Sequence, residues 1–261
     1  MKFQQIRSAT AIVTYGDIRF LVDPWLAPKD SWPPLRNSPN PTLRCPIHEL
    51  PLPIEKILDV DAVIATHLHF DHFDETAIQL IPKSTPLFAQ DETDMESLKS
   101  KGFINVTPLQ GKGVVFKGVT LFKTGCYHAP PGLKDTVYAK SSVRGEACGI
   151  IFRHPDEAHK LYLAGDTIWC NDVAMAIRHH TPDIIVVNAA QATFVSFGRI
   201  IMGLEDIEHV LAAAPQATII ASHMDNVGHE TLWRNDIRAF AEQHSLQQRL
   251  LVPEDGETCV F

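Results

Sequence analysis

The stretch His67-Leu68-His69-Phe70-Asp71-His72 decides how this sequence is interpreted. It directly follows the apolar run 61–66, which has the composition of a buried strand. Three imidazoles and a carboxylate within six residues are costly to bury without partners, and divalent cations would satisfy them together. We therefore predict a metal site at the end of this strand.

Four more metal-capable side chains follow short apolar runs elsewhere in the chain. Asp23 ends IRFLVD, His128 stands in TGCYH, Asp166 ends LYLAGD and His223 ends IIASH. Loops beyond strand ends carry side chains that the sheet does not use, so ligands gather there. Taken alone, each would be read as a surface or satisfied core residue, but the set as a whole predicts one shared site.

This order of motifs resembles the metallo-β-lactamase superfamily, and within it the branch that includes L-ascorbate-6-phosphate lactonase. The resemblance spans residues 23 to 223. It implies a four-layer αββα sandwich, an α/β fold with two mixed sheets, and two divalent cations, with zinc expected first and manganese as the alternative. The ligands that it implies are His67, His69 and His128 for one cation, Asp71, His72 and His223 for the other, and Asp166 as the bridge.

The same resemblance implies a catalytic role for two carboxylates. Asp71 is expected to pass a proton to the leaving group, and Asp23 to steady a ligand or the metal-bound water by hydrogen bonding. An Asp before Pro is also a common turn starter, which leaves a structural alternative for Asp23. His229, six residues after His223, is a further candidate for approach to the site.

The bulk composition limits the function classes. At 261 residues, one α/β domain over 1–261 suffices. The net charge of -8 argues against nucleic acid as a partner. We found neither a signal-like start nor a membrane-length apolar run, and the five dispersed cysteines suit a reducing compartment. We therefore expect a cytoplasmic protein that does not bind membranes, and the oligomeric state is left open.

One segment, about 24–46, contains seven prolines and no periodicity. We predict an ordered excursion that covers or rims the site, against the simpler interpretation of a linker. Arg144, Lys140 and Arg199 are candidate contacts for an anionic group, although solvated surface charge explains any one of them. The backbone N–H groups at Gly203 and the helix after it are a candidate site for an oxyanion or phosphate.

The leading functional hypothesis is a dinuclear metal-dependent hydrolase of a small anionic ester or lactone, with a metal-bound hydroxide as nucleophile. A phosphodiesterase on the same site is the main alternative. A non-catalytic metal-binding or ligand-binding protein is disfavoured because the seven ligands are intact. Redox chemistry of the flavodiiron type is disfavoured because His69 stands where those proteins usually have Glu.

Overall fold

Residues 1–128, 130–133 and 144–261 are described in a computed structural model, and most of their strands belong to two mixed seven-stranded sheets. The first sheet, in spatial order, consists of β16 (Thr258–Val260), β1 (Lys2–Arg7), β2 (Thr10–Tyr15), β3 (Ile18–Val22), β4 (Ala62–Ala65), β5 (Leu87–Ala89) and β6 (Val106–Pro108). Pairing is antiparallel from β16 to β3 and parallel from β3 to β6.

The second sheet has the same mixed character. Its spatial order is β15 (Leu250–Leu251), β14 (Thr218–Ser222), β11 (Ile184–Asn188), β10 (Leu161–Leu163), β9 (Gly149–Arg153), β8 (Val119–Thr124) and β7 (Val114–Phe116). Strands β15 to β10 are parallel, and β10 to β7 are antiparallel. A small hairpin, β12 (Thr193–Phe194) and β13 (Gly198–Arg199), lies outside both sheets.

Side-chain alternation along the strands places helices on the outer faces of the two sheets. In β9, Ile150 and Phe152 enter the core between the sheets, whereas Ile151 enters the core on the other side of its sheet. In β4, Ile64 faces the other sheet and Val63 faces the outer side. Because consecutive strand residues point to opposite faces, continuous apolar strands bury both. The predicted four-layer αββα arrangement of two mixed sheets is confirmed.

The outer layers are short helices. Helices α1 (Ile54–Ile57), α2 (Glu75–Leu80) and α3 (Glu92–Ser100) follow strands of the first sheet. Helix α4 (Pro131–Leu133) is a single turn, and α5 (Asn171–His180), α6 (Leu204–Ala213) and α7 (Arg234–Gln243) pack on the second sheet. Among the described residues, none of these helices has the length and apolarity needed to cross a bilayer.

The start of the last helix and several short strands differ from what the sequence indicates. The apolar spacing in 229–245 predicts a helix over that range, but α7 begins at Arg234, because Asp236 caps it by accepting the N–H of Trp233 at 2.8 Å. His229 and Glu230 instead belong to a buried loop. Strand β1 and the edge strands β6, β15 and β16 were not predicted, since they are short or carry polar residues such as the buried Gln5.

The proline-rich segment is ordered without regular secondary structure over most of its length. Arg7 of β1 is fully buried and donates hydrogen bonds to the carbonyl oxygens of Trp25 at 2.7 Å and Ala27 at 2.8 Å. Trp25 and Cys45 form a separate apolar cluster with Val227, which lies in the loop after β14. The segment is thus held by β1 at one side and by the loop after β14, which carries His223, at the other.

Candidate metal centre and pocket

The motif at residues 67–72 begins where β4 ends and turns back on itself before the next helix. The N–H groups of His72 and Phe73 both donate to the carbonyl oxygen of His69, at 3.0 and 2.9 Å. Helix α2 starts only at Glu75, with Asp74 as its N-cap, whose carboxylate accepts the N–H of Ala77 at 2.9 Å. Asp71 and His72 therefore lie in the turn before the helix, which aims them back at the strand ends.

The other predicted site residues meet this turn. Asp23 follows β3, His128 follows β8, Asp166 follows β10 and His223 follows β14, so both sheets contribute. All four are at least 97% buried. Ligand atoms converge in three clusters, each within 4.8 Å: His67, His69 and His128; His67, His72 and Asp166; Asp71, His72 and His223. The first and third have the composition of the two predicted ligand sets.

Asp166 lies between these sets. Its Oδ2 is 3.3 Å from His72 Nε2 and 3.5 Å from His128 Nε2, and its Oδ1 is 3.8 Å from His223 Nε2. Asn188, which ends β11, donates its side-chain N–H to Asp166 Oδ1 at 2.6 Å. A carboxylate in this position can contact cations held by either set, as the bridging prediction requires.

Hydrogen bonds from outside the centre set the histidine tautomers. His72 Nδ1 lies 2.9 Å from the Asp23 carboxylate, His69 Nε2 2.6 Å from the Arg144 carbonyl oxygen and His128 Nδ1 2.9 Å from the Ile200 carbonyl oxygen. Because these oxygens only accept, each of these nitrogens carries the proton. The opposite ring nitrogens of the neutral His69 and His128 therefore present lone pairs to the interior, where they are 3.2 Å apart.

The electrostatics of the centre differ between its histidines: two are held neutral, and the one beside the carboxylates favours positive charge. Burial and the neighbouring His72 and His69 hold the pKa of His67 well below its usual range, and burial lowers that of His69 to about 4. Burial also opposes charge on His72, but Asp166 and Asp23 raise its pKa well above the ordinary value.

One buried nitrogen indicates that the centre can hold a cation. His67 Nε2 is buried without a hydrogen-bond partner among the described residues. Inward lone pairs, an unpartnered imidazole nitrogen and two buried carboxylates fit a divalent cation site, because cations would satisfy all three features together.

Asp23 also contacts the strand that carries the motif. Its two carboxylate oxygens accept the N–H and the hydroxyl of Thr66, each at 2.7 Å, and the second oxygen meets His72. Asp23 itself has a φ of +48°, a conformation that Asp tolerates better than most residues. Asp23 is thus placed to fix the orientation of the His72 ring.

Sequence reasoning missed three residues around the centre. Asn188 ends an apolar strand, as the ligands do, so a signal existed for it. Glu230 is fully buried, with Oε1 3.8 Å from His223 Nδ1, and burial raises its pKa to about 7. Ser8 Oγ lies 3.3 Å from the same His223 nitrogen. Neither Glu230 nor Ser8 stands in a recognisable pattern.

The proposed anion contacts are engaged elsewhere. The Arg144 guanidinium pairs with Asp91 at 2.8 Å and Asp94 at 2.7 Å, so only its carbonyl oxygen serves the centre. Arg199 pairs with Asp206 at 2.6 Å. Asp206 also accepts the N–H of Gly203, so this N–H is not free to bind the oxyanion or phosphate that the sequence predicted at the start of α6. Lys140 lies outside the described residues.

A pocket of about 540 Å³ opens onto the centre. His69, Asp71, His128 and Asp166 are among the residues that line it. Its walls are mainly apolar: Trp32, Leu35, Leu68, Phe70, Phe73, Ile78, Leu98, Phe194 and Ile200. Trp32 stacks on Phe70 with ring centroids 4.7 Å apart, so the proline-rich segment contributes a wall of the pocket, as the rim prediction requires.

The fold and the centre define a member of the β-lactamase superfamily. The family model for the "Beta-lactamase superfamily domain" matches residues 18–224, and the chain belongs to this family. Among curated proteins, the chain is 42% identical to the UPF0173 protein YddR of Bacillus subtilis over 262 residues, covering 100% of both. It is 26% identical over 180 residues to a UPF0173 metal-dependent hydrolase of Rubrobacter xylanophilus, covering 67% of this chain and 64% of that protein.

Solved structures agree with this assignment. An isothiocyanate hydrolase from Delia radicum gut bacteria is 40% identical, with a TM-score of 0.94 over 100% of this chain and 99% of that one. A possible metal-dependent hydrolase from Veillonella parvula is also 40% identical, with a TM-score of 0.93 over 100% of this chain and 99% of that one. These relatives class the protein with the metal-dependent hydrolases of the β-lactamase fold.

Proposed function

We propose that the protein uses two divalent cations, zinc or manganese, to hydrolyse a small, largely apolar substrate at an electrophilic carbon. His67, His69 and His128 would hold one cation, Asp71, His72 and His223 the other, and Asp166 would contact both. When bound, such a pair supplies water of lowered pKa and stabilises negative charge that develops on the substrate. The observation that carries the proposal is the apolar pocket that four of these residues line.

The chain's own residues have distinct parts in this scheme. Asp23 holds the proton on His72 Nδ1 and thereby keeps Nε2 directed inward. Asp71 lines the pocket, and its Oδ2 is 3.6 Å from His223 Nε2. We assign to Asp71 the transfer of a proton to the leaving group. Trp32 and Phe70 exclude water from one side of the pocket, which strengthens electrostatic interactions within it.

An isothiocyanate is the substrate class that we favour. Water addition to the central carbon of R–N=C=S gives a thiocarbamic acid, which divides into the amine and carbonyl sulfide. This substrate is uncharged and carries an apolar group R, for which the aromatic and aliphatic walls are suited. The likeness to the isothiocyanate hydrolase over the full chain supports the same class.

An ester or lactone is the second candidate, since attack by water on a carbonyl carbon makes the same demands on the centre. The pocket lining is mainly apolar, and its cation Lys101 is accompanied by the carboxylates of Asp74 and Glu75, which favours an uncharged ester over the anionic one expected from sequence. The sequence-predicted anion contacts Arg144 and Arg199 are both paired with carboxylates. The same pairing argues against phosphodiesters, although bound cations would attract a phosphate.

A substrate panel tests the proposal. Protein purified without chelator would first be analysed for metal, and then assayed with 2-phenylethyl isothiocyanate, phenyl acetate, an aromatic lactone, a phosphorylated lactone and bis(4-nitrophenyl) phosphate. We expect about two cations per chain and the fastest turnover with the isothiocyanate, abolished by chelation and restored by zinc or manganese. Preference for either phosphorylated compound would overturn the substrate assignment, and chelator-resistant turnover would overturn the metal assignment.

A further inference from the structure

His229 occupies the pocket without belonging to any of the three ligand clusters. Its ring is 94% buried and lines the pocket together with His69, Asp71, His128 and Asp166. The clusters of described residues that could hold a cation include the other four but not His229. The ring therefore faces the same space as the centre from a separate position.

The surroundings of His229 fix the ring but leave a nitrogen unused. Its carbonyl oxygen accepts the N–H of Thr193 at 2.8 Å, which ties the loop to the β12–β13 hairpin. Phe194 of that hairpin meets the imidazole edge-to-face, with centroids 5.8 Å apart. Among the described residues, Nδ1 has no hydrogen-bond partner although it is buried.

This combination is unusual for a histidine with a purely structural role. A buried polar nitrogen without a partner costs free energy, and native proteins retain such groups mainly where a ligand or water supplies the partner. In contrast, His69, His72 and His128 each have an outward nitrogen bonded to a protein oxygen, as expected for residues that turn the opposite nitrogen to a cation.

We propose that His229 is a catalytic residue that donates a hydrogen bond to the substrate atom on which negative charge develops. For an isothiocyanate this atom is the nitrogen, and for an ester it is an oxygen. A neutral imidazole carries one N–H, so the ring can donate to this atom without a change of protonation. The inference rests on the proposed hydrolase function and adds a contact that the metal ligands do not make.

Three substitutions separate this role from packing and from metal binding. His229→Phe keeps an aromatic ring against Phe194 but removes both nitrogens. His229→Asn and His229→Gln restore an amide N–H near the positions of Nδ1 and Nε2, respectively. His209→Asn, at an exposed histidine of α6 that stacks on Trp169, is the matched control. Each variant would be assayed for kcat and KM with 2-phenylethyl isothiocyanate, zinc content and melting temperature.

We expect His229→Phe to lower kcat/KM by roughly 100-fold, the lower end of the effect of losing one donor to a developing charge, with full zinc content. Either the Asn or the Gln variant should recover about tenfold of that loss, and the control should stay within about twofold of wild type. Loss of zinc in His229→Phe, unchanged activity, or equal loss in all three variants would each overturn the proposal.

A binding experiment keeps this result separate from the proposed function. If the wild type fails to hydrolyse isothiocyanates and esters, the proposed function fails, and the contact is then tested with zinc-loaded protein and the unreactive probe phenylethylurea by calorimetry. Affinity that falls about tenfold in His229→Phe, on the scale of one lost hydrogen bond, would support the contact. Equal affinities, or no binding to the wild type, would overturn it.

Discussion

Asp166→Asn should remove most of the cation affinity while leaving the fold in place. The substitution keeps the size of the side chain, and an amide oxygen can still accept the hydrogen bond that Asn188 donates at 2.6 Å. What it removes is a negative charge that is 97% buried between the two ligand sets. The effect should therefore appear in metal binding first and in turnover as a consequence.

The geometry sets the magnitude. Four imidazole nitrogens, from His67, His72, His128 and His223, lie 3.3 to 3.9 Å from the Asp166 carboxylate oxygens, so cations bound by these rings would lie close to it. One unit charge about 4 Å from another interacts by about 4 kcal/mol at the effective dielectric suited to protein sites. That energy corresponds to about a 1000-fold change in affinity. Because the cations are divalent, this change is a lower bound.

Asp23→Asn is the matched comparison, because it removes a carboxylate that is equally buried but outside the clusters. Its amide oxygen can still accept the N–H of Thr66, but its NH₂ group cannot accept from His72 Nδ1. The ring would then favour the tautomer with its proton on Nε2, directed into the centre. We expect a loss of about 10–100-fold in activity, the scale of outer-shell changes, with most of the metal retained.

Both variants would be dialysed against buffered zinc, quantified for bound metal, and assayed for turnover on the same preparations. Circular dichroism would show whether each variant is folded. The bridging assignment would be refuted if Asp166→Asn kept two cations and Asp23→Asn lost them. The proposed division of the ligands into two sets would then be refuted as well.

Three further predictions follow from other parts of the structure. Shortening residues 29–42 should raise KM while metal content stays full, since Trp32 lines the pocket and the segment supplies no ligand; loss of metal would show a structural role. Gly165→Ala should lower the free energy of unfolding by about 2–4 kcal/mol in urea titrations, because a Cβ would overlap the Cys148 carbonyl oxygen. The control Gly198→Ala is also at positive φ but in open space, so it should cost only the backbone strain of about 1–2 kcal/mol. Arg144→Met should destabilise the protein by about 1–2 kcal/mol at pH 7, a value discounted for partial exposure. Because the ion pair with Arg144 holds the pKa of Asp91 at about 2, below its usual value, the difference from wild type in urea midpoint should persist above pH 4 and shrink as the pH falls toward 2. A difference that stays constant with pH would contradict this.

The fold could be predicted because most of its strands have a recognisable apolar pattern in the sequence. Runs such as 62–65 and 184–187 are apolar throughout, as strands buried on both faces must be, and each is followed by a polar residue of the site or its surroundings. Strand β1 and the edge strands β15 and β16 carry no such pattern. Their pairing depends on contacts distant in sequence, such as Lys2 with Val260, which no local periodicity records.

The candidate site was predictable in its residue types and less so in its environment. The seven residues expected as ligands follow strand ends, and the structure brings all seven into clusters that could hold a cation, because the sheets bring those ends together. The same reasoning assigned Arg144 and Arg199 to an anionic substrate, which the structure does not support, since it pairs both with carboxylates. A guanidinium is readily recognised in sequence, but the carboxylate that neutralises it comes from another part of the chain.

Backbone oxygens explain why the orientation of the ligands could not be predicted. The carbonyl groups of Arg144 and Ile200 hold the protons of His69 and His128, and any residue type offers the same carbonyl. Substitution of the Arg144 side chain therefore leaves its carbonyl oxygen, the acceptor for His69, in the chain. The substitution acts on His69 only by releasing the backbone at 144, which the ion pairs with Asp91 and Asp94 hold in place. Removing these ion pairs should loosen the first ligand set, in which His69 lies, more than the second. We therefore expect these ion pairs to affect the affinity of the first ligand set for a cation without contacting that set.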